Sequence, residues 1–283
     1  MTTTKKTAVI TGATSGLGEE AALALAGLGW RVIVTGRDPA RGAEVVAKAQ
    51  AAGGEAEFVA GDLFTVAGVK ALAEALRARA PSLDLLVNNA GGTLREKTLT
   101  VDGLERTVAL NVMAPHAHTE ALLDALAAAR GRVVNVVTGV PHGASATVDR
   151  LVGADADAGM GAYVRAKLAL LALTRAQQER YGARGVTVVA LHPGVVPDTR
   201  FGQEMPAVLR ALGPFVARLF RVASSRETVA GRYVRVGTGD VERGGFYRED
   251  TLSPLPLQAQ DPKFSTELWS RLDAVEKRPS AAA

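Results

Sequence analysis

Short, nearly continuous apolar runs recur along the chain, separated by stretches with helical spacing. The runs TAVIT (7–11), RVIVT (31–35), AEFVA (56–60), LDLLV (83–87), RVVNVV (132–137) and VTVVAL (186–191) are rich in β-branched residues and show no polar face. That pattern predicts parallel strands buried on both sides. Segments 16–28, 40–52, 66–80, 103–129 and 162–182 carry the spacing of helices. Gly29, Gly53-Gly54, Gly131 and Gly185 fall where a helix gives way to a strand, as an αβ joint favours. Strands alternating with helices over short joints predict a doubly wound parallel α/β sheet. With no repeat and no linker, residues 1–283 read as a single domain. After Leu191 the rhythm changes to a Pro/Gly loop, HPGVVPDTR. An amphipathic stretch at 205–221 follows, broken at Gly213-Pro214. A helix near 225–237, a short strand at 245–247 and a last helix at 264–276 complete the reading. Residues 198–223 are expected to form a helical lid over the substrate, and residues 1–6 and 278–283 to be disordered.

Composition narrows the chemistry. Aromatic residues are only 5% of the chain, so the helices must pack through Ala, Leu and Val. The absence of cysteine excludes a disulfide scaffold, a thiolate metal site and a thiol nucleophile. A net charge of +4 and a pI near 9.5 raise the question of nucleic acid, but the basic residues are scattered and form no run. The apolar stretch 21–30 has about half the length a membrane span needs. The first hydrophobic run leads straight into a glycine-rich motif, so no targeting segment is expected and the cytoplasm is the expected compartment. Of the four histidines, His116 and His118 lie two apart, on different sides of a helix, and His192 reads as structural. No metal is expected.

Three sets of residues carry candidate chemistry. The first strand runs into Thr11-Gly12-Ala13-Thr14-Ser15-Gly16-Leu17-Gly18. There glycines permit a tight turn, close backbone approach to a pyrophosphate and close helix–strand packing, with the phosphates at the helix N-terminus. At the end of the second strand stands Gly36-Arg37-Asp38 rather than a lone acid. A small Gly36 leaves room and Arg37 suits a ribose 2′-phosphate, favouring NADP(H) over NAD(H). The bland alternative makes Arg37 a solvated turn residue and Asp38 a helix cap. Further along come Asn88-Asn89-Ala90-Gly91, then Asn111 in the long helix, then Tyr163 and Lys167. The last two are four apart and so share one helical face. A cation beside a phenol favours the phenolate, so Tyr163 is expected to titrate below the usual value of about 10 and exchange a proton near neutrality.

In this order, TGATSGLG, NNAG, a helical Asn111 and YVRAK resemble the short-chain dehydrogenase/reductase family over about residues 7–250. TLTVDGLERTVALN and the final LW helix are most similar to its retinol-dehydrogenase-like branch. The resemblance implies a Rossmann-type fold and a carbonyl reductase, or alcohol dehydrogenase in reverse, working by hydride transfer from a nicotinamide cofactor. It implies that Gly12, Gly16 and Gly18 hold the pyrophosphate with Ser15 nearby, that Asp62 hydrogen-bonds the adenine, that Asn88 and Ala90 line the adenosine ribose side, and that Thr14, Leu17, Leu63, Asn89 and Gly91 are further cofactor-binding residues. Tyr163 would be the acid/base. Lys167 would hold the nicotinamide ribose, and Asn111 would position a water leading from Lys167 to solvent. Pro193, Gly194, Val195, Val196 and Thr199 would touch the nicotinamide end. The family's catalytic serine is replaced by Thr138, whose hydroxyl still donates while its methyl stiffens χ1 and narrows the pocket; Ser145 is a poorer substitute. His142, Phe201 and Met205 are candidate substrate contacts, and apolar residues in the lid favour a lipophilic small molecule. The rival expectation is a dinucleotide-binding sensor with weakened catalysis. Relatives pair through the Asn111 and Tyr163 helices, so a homo-oligomer is a further expectation.

Overall fold

The computed structural model describes residues 5–94, 96–153, 158–194, 196 and 224–278. The predicted lid at 198–223, with Thr199, Phe201 and Met205, lies outside these residues, as does Val195. The elements in order are β1 (Thr7–Ile10), α1 (Gly16–Gly27), β2 (Arg31–Gly36), α2 (Pro39–Ala51), β3 (Glu55–Ala60), α3 (Val66–Arg79) and β4 (Leu85–Asn88). They continue with α4 (Arg106–Val108), α5 (Ala114–Ala121), α6 (Leu123–Ala129), β5 (Arg132–Val136), α7 (Val148–Val152), α8 (Gly159–Tyr181) and β6 (Thr187–His192). Last come α9 (Arg226–Thr238), β7 (Phe246–Arg248), β8 (Thr251–Ser253), a 3₁₀ turn (Leu257–Gln260) and α10 (Pro262–Glu276).

The sheet has the order β3-β2-β1-β4-β5-β6-β7-β8. All neighbours are parallel except β7 and β8, which form an antiparallel hairpin. Successive strand residues serve opposite faces. Val9, Ile33, Leu86, Val133 and Val188 pack under α3, α8 and α10, whereas Ala8, Ile10, Val32, Val34, Leu85, Val87 and Val189 pack under α1, α2 and α9. Burial on both faces is why the strands read as unbroken apolar runs. The chain reverses direction across the sheet between β1 and β4, and the crevice at their C-terminal ends is where such sheets bind ligands.

Three expectations are corrected. The single helix predicted over 103–129 is divided into α4, a π-helical turn at Ala109–Met113, α5 and α6. Pro115 has no N–H to donate back to the preceding turn, and within that turn Asn111 Nδ2 donates to the Thr107 carbonyl. Lys5 and Lys6, expected to be disordered, are placed by an ion pair to Glu55 at 3.2 Å, a cation–π contact with Trp30 and a Lys6 carbonyl that accepts from Arg31. Arg278, likewise expected to be disordered, donates its N–H to Val275. Asn88, assigned to the ribose, turns away from it into the core. Period two sends Asn88 and Asn89 to opposite faces of the sheet.

Asn88 instead starts a buried polar network under the site. Its Nδ2 donates to Thr119 Oγ1 at 3.0 Å and to Asn135 Oδ1 at 2.9 Å, its partner in register on β5. Asn135 Nδ2 donates to Thr174 Oγ1 and Gln177 Oε1 on α8. His118 on α5 donates Nδ1–H to Asn88 Oδ1. These bonds cross-link the two central strands to the helices on one side, where an unpaired amide would cost free energy. Complete burial lowers the His118 pKa from 6.5 to about 4. The unfolded chain therefore binds a proton that the native chain refuses between those values, and stability is lost as pH falls through this window. Urea unfolding of the native sequence beside His118→Gln should show the native protein losing more stability between about pH 6.5 and about pH 4. Parallel pH profiles would contradict a neutral buried imidazole.

Candidate active site

The glycine loop and the loop after β4 meet where β1 adjoins β4. Gly12 and Gly16 both have φ of 63°, in the left-handed region that L side chains avoid. A Cβ on Gly12 would stand 2.9 Å from Ala90 Cα, so the two loops touch at backbone distance. The Ala90 N–H donates to Thr11 Oγ1 at 3.0 Å. A Cβ on Gly18 would overlap the Asn89 amide, which lets α1 start tight against the sheet. Ser15 is the N-cap of α1 but makes no side-chain cap bond, leaving the first-turn N–H groups available to an anion. A cradle that only glycine fits, at an uncapped helix N-terminus, suits a dinucleotide pyrophosphate. Leu17 faces inward and packs on the sheet.

At the β2 edge the geometry modifies one expectation. The room beside Gly36 is occupied by Thr14, whose Cγ2 would lie 2.6 Å from a Cβ at that position. Arg37 is exposed, its guanidinium 5.3 Å from the Phe64 ring centroid. Arg106 approaches the same ring at 4.4 Å. Asp38 is engaged elsewhere: its Oδ1 accepts from Ala40 and Arg41 as the α2 cap, and its Oδ2 pairs with Arg41. Asp62 is exposed and closes a short turn by accepting from the Phe64 N–H, with Leu63 half-buried beside it.

The catalytic candidates gather at the ends of β4 and β5. One face of α8 presents Tyr163 and Lys167, with Lys167 Nζ 5.7 Å from the tyrosine ring centroid. Lys167 is 3% exposed and donates to the Val136 carbonyl at 2.8 Å. Thr138, two residues beyond that carbonyl, stands close enough to the Tyr163 hydroxyl to favour its ionised form. Asn111 Nδ2 donates to Gly92 O and Thr107 O, while its Oδ1 accepts from Gly92 N, so the amide fastens the post-β4 loop to the π-helical turn. A Cβ on Gly91 would lie 2.7 Å from Asn111 Oδ1 and 3.0 Å from Lys167 Nζ. Gly91 therefore separates these two polar groups while leaving space between them.

Electrostatics here depart from the simple cation–phenol picture. Burial pushes the Tyr163 phenol above its ordinary value, and the nearby Thr138 opposes this only in part. Burial also drives Lys167 down, from 10.5 to about 7. Desolvation by burial is the largest effect on both groups. The phenol is thus held protonated, the form that donates a proton.

The remaining candidates divide. Pro193 and Gly194 follow β6, with Gly194 at φ 100° and Val196 buried. His142 and Ser145 line a cleft of about 490 Å³ outside the β5–α7 segment; among the described residues its lining includes none of Thr138, Tyr163 and Lys167. Neither is therefore placed at the catalytic group. His116 is wholly buried, bonded to Asp273 at 3.2 Å and set edge-on to Trp269. Sequence reading missed Tyr233 and Arg232, which contact the cofactor loops from α9. It also missed the Phe64 platform between Arg37 and Arg106. The aromatic residue just after Asp62-Leu63 was the one available signal for that platform.

Residues 6–208 match the family model described as short chain dehydrogenase, and the chain belongs to that family. It is 38% identical over 277 residues to polyprenol dehydrogenase of Mus musculus, covering 94% of this chain and 82% of that protein. It is 35% identical over 243 residues to retinol dehydrogenase 12 of Bos taurus, covering 81% and 77%. A crystal structure of a metagenomic blue fluorescent protein in complex with NADPH superposes with a TM-score of 0.68 at 26% identity, covering 87% of this chain and 96% of that one. The expected fold and family, including the likeness to retinol dehydrogenases, are thereby borne out. The chain is an oxidoreductase of the class that uses a nicotinamide dinucleotide on small molecules. No helix among the described residues is long and apolar enough to cross a membrane.

The lowered Lys167 pKa has a measurable consequence. Between about 7 and 10.5 the unfolded chain binds a proton that the folded chain does not, so stability should rise with pH across that window and stay level below it. Chemical unfolding of the cofactor-free protein should show this rise, at most about tenfold in the unfolding equilibrium per pH unit, and Lys167→Met should abolish it. An equal rise in the variant would contradict a buried neutral amine.

Proposed function

We propose that the protein is an NADP(H)-dependent oxidoreductase that interconverts a carbonyl and an alcohol on a lipophilic small molecule. The observation that carries this reading is the pairing of Tyr163 with the buried Lys167 on one face of α8, Lys167 Nζ lying 5.7 Å from the tyrosine ring centroid, with Thr138 beside the phenol. The bound nicotinamide supplies the hydride for reduction, or accepts it for oxidation. In reduction, the substrate oxygen takes a hydrogen bond from Thr138 and a proton from the Tyr163 hydroxyl. Burial keeps the phenol protonated, the form from which reduction starts. Lys167, with one N–H on Val136 O, has further donors for the nicotinamide ribose hydroxyls and a positive charge when protonated. Asn111 and the space at Gly91 offer a route by which a water could return the proton.

Two arguments support NADP(H). The carboxylate nearest the end of β2 is committed to the α2 cap and to Arg41, so it is not free for a ribose 2′-hydroxyl. The Arg37 guanidinium is exposed at that edge and matches a 2′-phosphate. A lipophilic substrate is supported by the long-chain alcohols named in the relatives, a polyprenol and a retinol. Threonine at the serine position retains the donor, and the Tyr163/Lys167 pair beside it speaks against a pure sensor, which needs no tyrosine there.

With a panel of lipophilic aldehydes and ketones, Tyr163→Phe should lower turnover at least about 10²-fold while leaving NADPH binding intact. Unchanged turnover in this variant would sink the acid role. In the same assay, Arg37→Ser should reduce the kcat/KM preference for NADPH over NADH about tenfold or more by weakening the NADPH side alone. A native enzyme that prefers NADH would overturn the cofactor assignment.

A further inference from the structure

We propose that α9, by two adjacent residues, clamps the two loops that flank the cofactor cleft: Tyr233 fixes the glycine-rich loop and Arg232 fixes the loop after β6. The inference rests on dinucleotide binding at those loops and assigns positioning roles far from the motifs.

Tyr233 is 1% exposed, and its hydroxyl donates to Asn89 Oδ1 at 2.8 Å across a sequence separation of 144 residues. Asn89 Nδ2 donates in turn to Thr11 O at 2.8 Å and Gly12 O at 3.4 Å. Chemistry alone orients this relay. The two backbone carbonyls only accept, so the amide nitrogen faces them; the amide oxygen then faces the phenol, which must donate. The absent side chain of Gly18 gives the amide the room it occupies, since a Cβ there would overlap Asn89 Nδ2. The turn that receives the pyrophosphate therefore hangs from α9 through one asparagine.

Arg232 is 7% exposed and uses its fork in three directions. Nη1 donates to Pro193 O at 2.8 Å and Ser224 Oγ at 2.8 Å, Nη2 to Glu249 Oε2 at 2.6 Å, and Nε to Asp250 Oδ2 at 2.9 Å. A Cβ on Gly194 would lie 2.5 Å from Nη1, so the loop wraps the guanidinium at backbone distance. The β7–β8 turn is drawn into the same knot: Glu249, at φ 57°, donates its N–H to His192 O at 2.7 Å. A planar five-donor head is required, because an ammonium cannot reach these acceptors from one position. Neighbouring helix residues project about 100° apart, which lets one turn of α9 reach both loops.

The two arms are separable with ADP, which carries the adenosine and both phosphates but no nicotinamide. Native protein should bind ADP; no binding of ADP or dinucleotide would contradict the site on which the clamp rests. Tyr233→Phe should raise the Kd for ADP and for NADPH about tenfold, with kcat at saturation within about twofold of native. In the cofactor-free protein it should also speed amide hydrogen exchange over residues 11–17. Arg232→Lys should leave the ADP affinity and the exchange of 11–17 unchanged, yet lower kcat about tenfold. If that variant fails to fold, Glu249→Gln takes its place, since it loosens the guanidinium from the more exposed side. Equal weakening of ADP by both variants, or native exchange over 11–17 in Tyr233→Phe, would overturn the proposal.

Discussion

The site is organised by a buried amine. Lys167 is held by one described hydrogen bond, to the last carbonyl of β5, and burial removes most of the stabilisation its charge would have in water. Such a group is costly unless a ligand completes its bonding, as the vicinal hydroxyls of the proposed nicotinamide ribose would. Several local features follow from housing it. β5 must end at Val136 so that its carbonyl is free of the ladder, and Thr138 then falls within reach of Tyr163. The post-β4 loop must pass at Gly91, where any side chain would collide with Asn111 or with Lys167 itself. The π-helical turn at Ala109–Met113 presents Asn111 to that loop rather than to its own helix.

The paired strands beneath the site explain how such precision is kept. Asn88 and Asn135 sit opposite each other in a sheet otherwise filled with Val, Leu and Ile, and their amides are spent on α5 and α8. The next residue, Asn89, points the other way and is spent on the glycine loop. One dipeptide thus ties one face of the sheet to α5 and, through Asn135, to the helix α8 that carries Tyr163, and ties the other face to the glycine loop. The α9 helix adds a second tether on that side, through Tyr233 to Asn89 and through Arg232 to Pro193.

The strands, most of the helices and the nearness of Tyr163 to Lys167 were legible because each leaves a local signature. Burial on both faces writes continuous apolar runs, a phosphate cradle writes glycines, and a shared helical face writes Tyr163 and Lys167 four apart. The division of 103–129 was less legible. Its apolar spacing persists through the π-helical turn, and only Pro115 marks the break. Space at Gly36 was misjudged because the occupant, Thr14, comes from another strand's loop, and the phenol's pKa because burial cannot be read from proximity along one helix. Tyr233 and Arg232 gave no signal at all: their partners lie 144 and 39 residues away, and neither has a motif around it. Asp38 shows the reverse case, where the modest capping reading was the one that the structure bears out.

The central claim is that this site moves a hydride between a nicotinamide and a carbonyl carbon while Tyr163 handles the proton. The most direct measurement is a single turnover with a reduced cofactor deuterated at both C4 positions and a lipophilic aldehyde, the alcohol being analysed by mass spectrometry and NMR. The account predicts one deuterium on the carbinol carbon, and none at that carbon when the label is supplied only by heavy water. Label entering the carbinol carbon from solvent, or a cofactor that binds and keeps its deuterium with every carbonyl tried, would contradict it.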